Sequence, residues 1–259
     1  MKLHHVPART GWLWVRLGMR TFLRQPLALA GLFFLFMMGV SVLALVPVLG
    51  NALALSLLPA ATLGLMAATR EADHGQFPMP TVLASAFRAG QQRLRAMLVL
   101  GGLYALGSLL VMGLTALLVG PAVVTLGEGA ELGEALQQQP ILLRQLVVTS
   151  LLYLPLGLLF WHAPALVHWH GISPLKSLFF SAMACWNNKG ALLVYFLGWT
   201  LVFFAIAMGV VSVTALLGSA ALVGTVLFPL VMLMSAMFFT SLYYTFRDSF
   251  TTDDGQAPA

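Results

Sequence analysis

Charge is what this chain has least of. Only 8% of its 259 residues are Asp, Glu, Lys or Arg, against about a quarter in soluble globular proteins. With 60% hydrophobic residues and a mean hydropathy of +0.93, the chain reads as an integral membrane protein. A single cysteine, Cys185, excludes an intramolecular disulfide framework and a multi-cysteine metal site; a lone thiol near a membrane surface reads as inert. The N-terminal MKLHHVPARTGW lacks an apolar core followed by a small-residue cleavage site, so it is not a secretory signal peptide by pattern. No acidic or basic residue sits in the middle of any long apolar run. Proton relays, ion-coupled carriers and voltage sensors are built on such residues, which argues against an ion-coupled pump. Glycine-rich phosphate loops, HExxH, GxSxG and paired-carboxylate patterns are missing too. Catalysis of a familiar type has no candidate residues, and the expectation is a protein that is not an enzyme and carries no cofactor.

What is present is apolar length. Six runs lie near 27–49, 52–69, 97–119, 141–162, 190–217 and 220–243, and about 20 such residues cross a hydrocarbon layer of about 30 Å. One pattern is written three times: a short amphipathic stretch ending in a basic residue, then two apolar runs. The copies begin near Arg9, Pro80 and Pro174, and their junctions are Arg24, Arg95 and Lys189. Repetition of this kind sets architecture. The expected fold is an all-α integral membrane bundle of six transmembrane helices in three pseudo-repeated units, each an interfacial helix feeding a helical hairpin. The units are 9–70, 80–170 and 174–246 within a single membrane domain, 1–259, with 247–259 a short polar tail expected to be disordered.

If the six runs span, twelve of the thirteen Lys and Arg residues fall on one side, which the positive-inside rule makes cytoplasmic. Both termini are expected there. The exception, Arg144, lies near an acidic loop carrying Glu128, Glu131 and Glu134. Residues 120–140 form the only substantial outer loop, and GEGAELGEALQQQ reads as a short surface helix or a mobile loop.

At about 100° per residue, Arg9, Arg16, Arg20 and Arg24 cluster on one helical side with Val15, Met19 and Phe22 opposite. In the second copy Arg88, Gln92 and Arg95 share a face and Leu83, Phe87 and Leu94 the other. In the third, Lys176 and Asn187 oppose Leu175, Leu178, Ala182 and Trp186, with Phe180 and Met183 blurring the pattern. Basic amphipathic helices lie in the membrane interface, where each Lys or Arg near an anionic leaflet contributes about 1 kcal/mol. Two readings stay open: a collar that recognises lipid headgroups, and simple topological anchoring of a hairpin, which needs no ligand.

Inside the spans the polar inventory is mostly Ser and Thr, read as hydroxyls bonded back to a helix. Pro59, Pro155 and Pro229 fall in the second run of each pair. Proline removes a backbone donor and bends a helix, so these three are expected kinks that either enclose a central cavity or let the hairpins wrap tightly. Small residues at Ala60/Gly64, Ala205/Gly209 and Ala220/Gly224 favour close helix approach. The densest polar cluster, FWHAPALVHWHG, holds Trp161, His162, His168, Trp169 and His170. None of its histidine pairs has the i, i+4 spacing of a helical metal site, and Trp and His are expected as an interfacial belt. Met232, Met234 and Met237 spread around a helix rather than forming a soft-metal path. No metal is expected.

The stretches WxWVRxGxRxFxRQPLALxGLFFLF, APALVxWHG and CWNNxGA resemble an uncharacterised family of proteobacterial six-span inner-membrane proteins over nearly the whole chain. More distantly, the interfacial-helix-plus-hairpin plan is similar to YciC-like inner-membrane proteins and to the membrane domain that precedes some glycerophosphodiester phosphodiesterases. The resemblance implies location in a bacterial inner membrane and, without the phosphodiesterase domain, only an association with lipid metabolism. The leading functional expectation is a non-enzymatic protein that binds, positions or passes lipid-like or amphipathic molecules at the cytoplasmic leaflet. Its candidate headgroup contacts are Arg16, Arg20, Arg24, Arg88, Arg93, Arg95, Lys176 and Lys189, and its partners are anionic membrane lipids, with no nucleic acid. The rival is an accessory or assembly subunit seated beside a larger membrane protein complex. A facilitator for a small neutral solute would need a continuous polar path, which scattered hydroxyls do not supply.

Overall fold

Apolar runs of this length have one way to satisfy their backbone groups in lipid, which is to bond them internally as helix. The computed structural model describes residues 2–47, 49–120, 140–216 and 221–251. The expected outer-loop helix, the 217–220 connection and the tail beyond Thr251 lie outside the described residues. Helix α1 spans Thr10–Arg24, α2 Pro26–Ala44 and α3 Gly50–Asp73. A 3-10 turn, Pro80–Ala84, leads into the four-residue α4, Ser85–Arg88, and then α5, Gln91–Val119. Helices α6 (Pro140–Phe160), α7 (Ala163–His170), α8 (Pro174–Asn187), α9 (Lys189–Leu216) and α10 (Ala221–Ser249) complete the bundle. Six of these, α2, α3, α5, α6 (continued by α7), α9 and α10, are long and apolar enough to cross a membrane. Large apolar side chains such as Leu27, Leu117, Leu216 and Phe228 point outward, as lipid-facing positions do. The chain is an all-α bundle of six membrane spans.

Helix α3 sits centrally, packed against α2, α5 and α10. Leu63, Met66, Leu100 and Leu166 fill the space between helices and are fully buried. Pro59, Pro155 and Pro229 all lie inside helices α3, α6 and α10. Of the small-residue pairs, Ala60/Gly64 is packed, with Gly64 against the Leu83 backbone. Gly209 has nothing within 4 Å of an added Cβ, so Ala205/Gly209 faces lipid instead of a neighbouring helix. Ala220/Gly224 cannot be placed in the same way, because their side chains fall outside the described set.

Four expectations change in detail. Helix α1 does not float on the interface: Trp14 and Val15 are 0% exposed, and the helix is seated on α9 and α10. Gly11 and Gly18 make this seat possible, because a Cβ at Gly11 would strike the Ala191 carbonyl and one at Gly18 would meet Ser241 Cα at 2.9 Å. The second basic segment is not one helix. Gly90 adopts φ 93°, a left-handed conformation that other residues resist, and it divides α4 from α5. Arg88 and Arg95 therefore sit on different elements rather than on one face.

His162 does not join an interfacial belt. After Phe160 the helix breaks for two residues and continues as α7, whose Ala163, Ala165, Leu166 and Val167 are buried against the bundle, and His162 is 1% exposed at the break. Finally, residues 247–251, expected in the polar tail, belong to the fold. Helix α10 runs through Ser249, Phe250 is fully buried, and Phe250–Thr251 (β2) pairs antiparallel with Lys2–Leu3 (β1).

Candidate functional site

Residues near both described ends of the chain meet the last turn of α3 and the junction of α8 with α9 in a polar network. Trp14 Nε1 donates to Asp248 Oδ2 at 2.9 Å, and Arg247 Nε donates to Asp248 Oδ1 at 2.9 Å. Arg247 Nη1 also reaches Asp73 Oδ2 at 3.5 Å. Tyr244 Oη donates to Asp73 Oδ1 at 2.9 Å while bonding Thr21 Oγ1. Asn188 is satisfied on both faces: its Oδ1 accepts from Val6 N at 2.9 Å, and its Nδ2 donates to His4 O at 3.0 Å and Ser249 Oγ at 3.2 Å. Satisfied polar networks of this kind fix relative position. They hold α1, α3, α10 and the start of α9 together at this end.

A second buried cluster is likewise structural. The His162 backbone N–H donates to Ser181 Oγ at 2.9 Å, and Ser181 Oγ donates to Leu158 O at 2.9 Å. Trp161 Nε1 donates to Thr245 Oγ1 at 3.1 Å. Cys185 lies 3.9 Å from His162 Nδ1, but burial pushes its thiol up to about 12, which removes the thiolate that nucleophilic chemistry requires.

The open site lies beside this locked end. The last turn of α3, the 3-10 turn, α4 and the end of α7 enclose two adjoining cavities of about 480 and 450 Å³ that share Glu71, Val82, Ser85 and His168. Arg88 and Thr81 line the first; Arg70, His74, Gln76 and Trp169 line the second. Arg93, at the start of α5, and Arg70 both lie within electrostatic range of His168. The Arg70 guanidinium sits 6.0 Å from the Trp169 ring centroid. Two buried polar atoms in this wall, Ser85 Oγ and His168 Nδ1, have no hydrogen-bond partner. Buried polar atoms without a partner cost about 1–3 kcal/mol each, and Gln25 Oε1, Ser108 Oγ and His170 Nε2 share this condition elsewhere in the bundle. The cations, hydroxyl and imidazole of the cleft suit a phosphate or another oxyanion.

Of the eight basic residues singled out from the sequence, the structure brings Arg88 to this cleft, while Arg93 is exposed at the start of α5. Arg16, Arg20 and Arg24 are exposed on the outer side of α1, Arg95 on α5 and Lys176 on α8. Lys189 stacks over the Trp186 ring at 4.9 Å. Within the aromatic and histidine cluster, His168, Trp169 and His170 are half-buried at this same end. Arg70, Glu71 and Ser85 are the site residues that pattern reading missed. The signal available for the first two was the charged ATREAD sequence immediately after the second apolar run.

The whole chain aligns, at 37% identity over 262 positions, with 97% of a protein of Burkholderia thailandensis named a probable inner membrane protein. The chain belongs to that family. No family model matches it and no solved structure matches it. The family thus carries a membrane location in the relative's name and no ligand or reaction, so function has to be argued from the cleft.

Proposed function

We propose that this protein is a non-enzymatic component of the bacterial inner membrane that binds, positions or passes lipid-like molecules at the cytoplasmic leaflet. Both termini lie on that side in this reading, as the distribution of Lys and Arg requires. The observation that carries the proposal is the pair of adjoining pockets lined by Arg88 and by Arg70, which share a wall of Glu71, Ser85 and His168. They open at the end of the bundle where headgroups lie, and a phosphate there gains charge-assisted hydrogen bonds. The exposed Arg16, Arg20, Arg24, Arg95, Lys176 and Lys189 draw the same face towards anionic lipid, without converging on one molecule. The distant likeness to YciC-like proteins and to the membrane domain preceding some glycerophosphodiester phosphodiesterases points towards lipid metabolism as well.

The test is detergent-free extraction into nanodiscs followed by mass spectrometry of everything retained. Selective enrichment of a phosphate-bearing amphiphile over bulk lipid is expected. Recovery of bulk lipid alone would overturn the proposal, and a stoichiometric protein partner in its place would make the chain an accessory subunit.

A further inference from the structure

The cleft holds one group that a site for a purely anionic headgroup would not need. Glu71 lies in the wall common to both cavities, between the Arg88 side and the Arg70 side. Among the described residues its carboxylate takes part in no ion pair and no hydrogen bond, although the other carboxylates at this end, Asp73 and Asp248, are both paired with Arg247. Arg88 and Arg70 have no ion-pair partner among the described residues either, and the Arg70 guanidinium lies beside the face of Trp169. The two signs of charge thus share a cleft without neutralising each other. Arg88 is exposed and Arg70 and Glu71 are partly exposed, so both signs of charge are available to a ligand at the mouth of the cleft. A carboxylate beside a binding anion would weaken it, whereas one beside a ligand that carries both signs strengthens it.

We infer that the ligand is a zwitterionic lipid headgroup that joins a phosphate diester to a primary ammonium. This rests on the lipid-binding reading above and specifies it. The phosphate lies against Arg88 and Arg70, in the part of the cleft whose wall holds Ser85 and His168. The ammonium donates to Glu71. A primary ammonium offers three N–H donors to a carboxylate, so it is distinguished from a quaternary ammonium, which offers none, and from a neutral glycerol headgroup, which leaves Glu71 unpaired.

The experiment uses the full-length protein in nanodiscs made from equal parts of phosphatidylethanolamine, phosphatidylglycerol and phosphatidylcholine, with native mass spectrometry of the lipids that stay bound. Wild type is expected to retain phosphatidylethanolamine at least fivefold over either competitor. Glu71→Gln should bring the ratio to phosphatidylglycerol close to one while keeping total bound lipid. Arg88→Gln should lower all three together. Bound lipid in the wild type with phosphatidylglycerol or phosphatidylcholine equal to or above phosphatidylethanolamine overturns this inference and leaves lipid binding standing, as does a Glu71→Gln protein that keeps the wild-type ratio. No retained lipid in the wild type overturns both. Soluble phosphoethanolamine in millimolar excess should leave the ratio unchanged; displacement of the bound lipid by it would assign the cleft to the free compound and overturn the assignment to a lipid.

Discussion

Gly18 offers a sharp test of how α1 is seated. An added Cβ there would run into the Cβ of Ser241, with Ser241 Cα at 2.9 Å and N at 3.1 Å. These are atoms that no rotamer change can move. In the interior of a helix, alanine is intrinsically better than glycine by about 1 kcal/mol. Against that gain, overpacking a close contact costs about 1–3 kcal/mol. Retreat of α1 also disturbs Ser241 Oγ, which Tyr195 Oη meets at 2.6 Å and to which Trp199 Nε1 donates at 3.2 Å, each bond worth about 0.5–1.5 kcal/mol. The net expectation for Gly18→Ala is a loss of about 3 kcal/mol. At about 2–4 °C per kcal/mol for a chain of this size, the midpoint falls by roughly 6–12 °C. Gly31→Ala is the matched control, because nothing lies within 4 Å of its Cβ position; it should be neutral or stabilising by up to about 1 kcal/mol. Thermal unfolding in detergent, followed by tryptophan fluorescence, compares the two. Equal midpoints for Gly18→Ala and Gly31→Ala would refute the seating of α1 on α10.

Tyr244→Phe removes the hydroxyl between Thr21 and Asp73 and should cost about 1–3 kcal/mol; an unchanged melting curve would count against the polar lock. Cys185 is buried, which pushes its thiol up to about 12 and disfavours the thiolate at pH 8. Maleimide should therefore label it only after denaturation, and rapid labelling of the folded protein would contradict its burial. Green fluorescent protein fused after Ala259 should fluoresce and alkaline phosphatase fused there should stay inactive, as a cytoplasmic C-terminus requires; the opposite pair of results would invert the topology.

Hydropathy alone located the spans because the membrane imposes a length and a composition that each helix must meet separately. The run near 190–217 is the helix Lys189–Leu216, and the run near 27–49 differs from Pro26–Ala44 only at its end. What pattern reading could not supply was anything that depends on one element folding over another. The Arg88, Gln92 and Arg95 face assumed a helix that Gly90 interrupts. Counting along the fourth run puts His162 at a surface, but α7, which continues the span past the break at 161–162, is packed in the core, and His162 is buried with it. Arg70 and Glu71 looked like the ordinary charged end of a span, and they become the wall of a site only because Ser85 and His168, distant in sequence, close over them. The buried seat of α1 was half visible: Val15 and Phe22 were assigned to its apolar face and are buried, yet nothing local said whether that face meets lipid or protein.

The claim that the cleft holds the lipid is tested most directly by moving the same amount of charge in two places. Arg70→Gln/Arg88→Gln alters the cleft, and Arg16→Gln/Arg20→Gln alters the exposed side of α1. Lipid phosphorus bound per protein is then measured after identical purification into nanodiscs. The cleft pair should lose the selectively retained lipid, while the α1 pair keeps it and loses only loosely held anionic lipid. Equal loss from both pairs, or none from the cleft pair, would contradict the assignment.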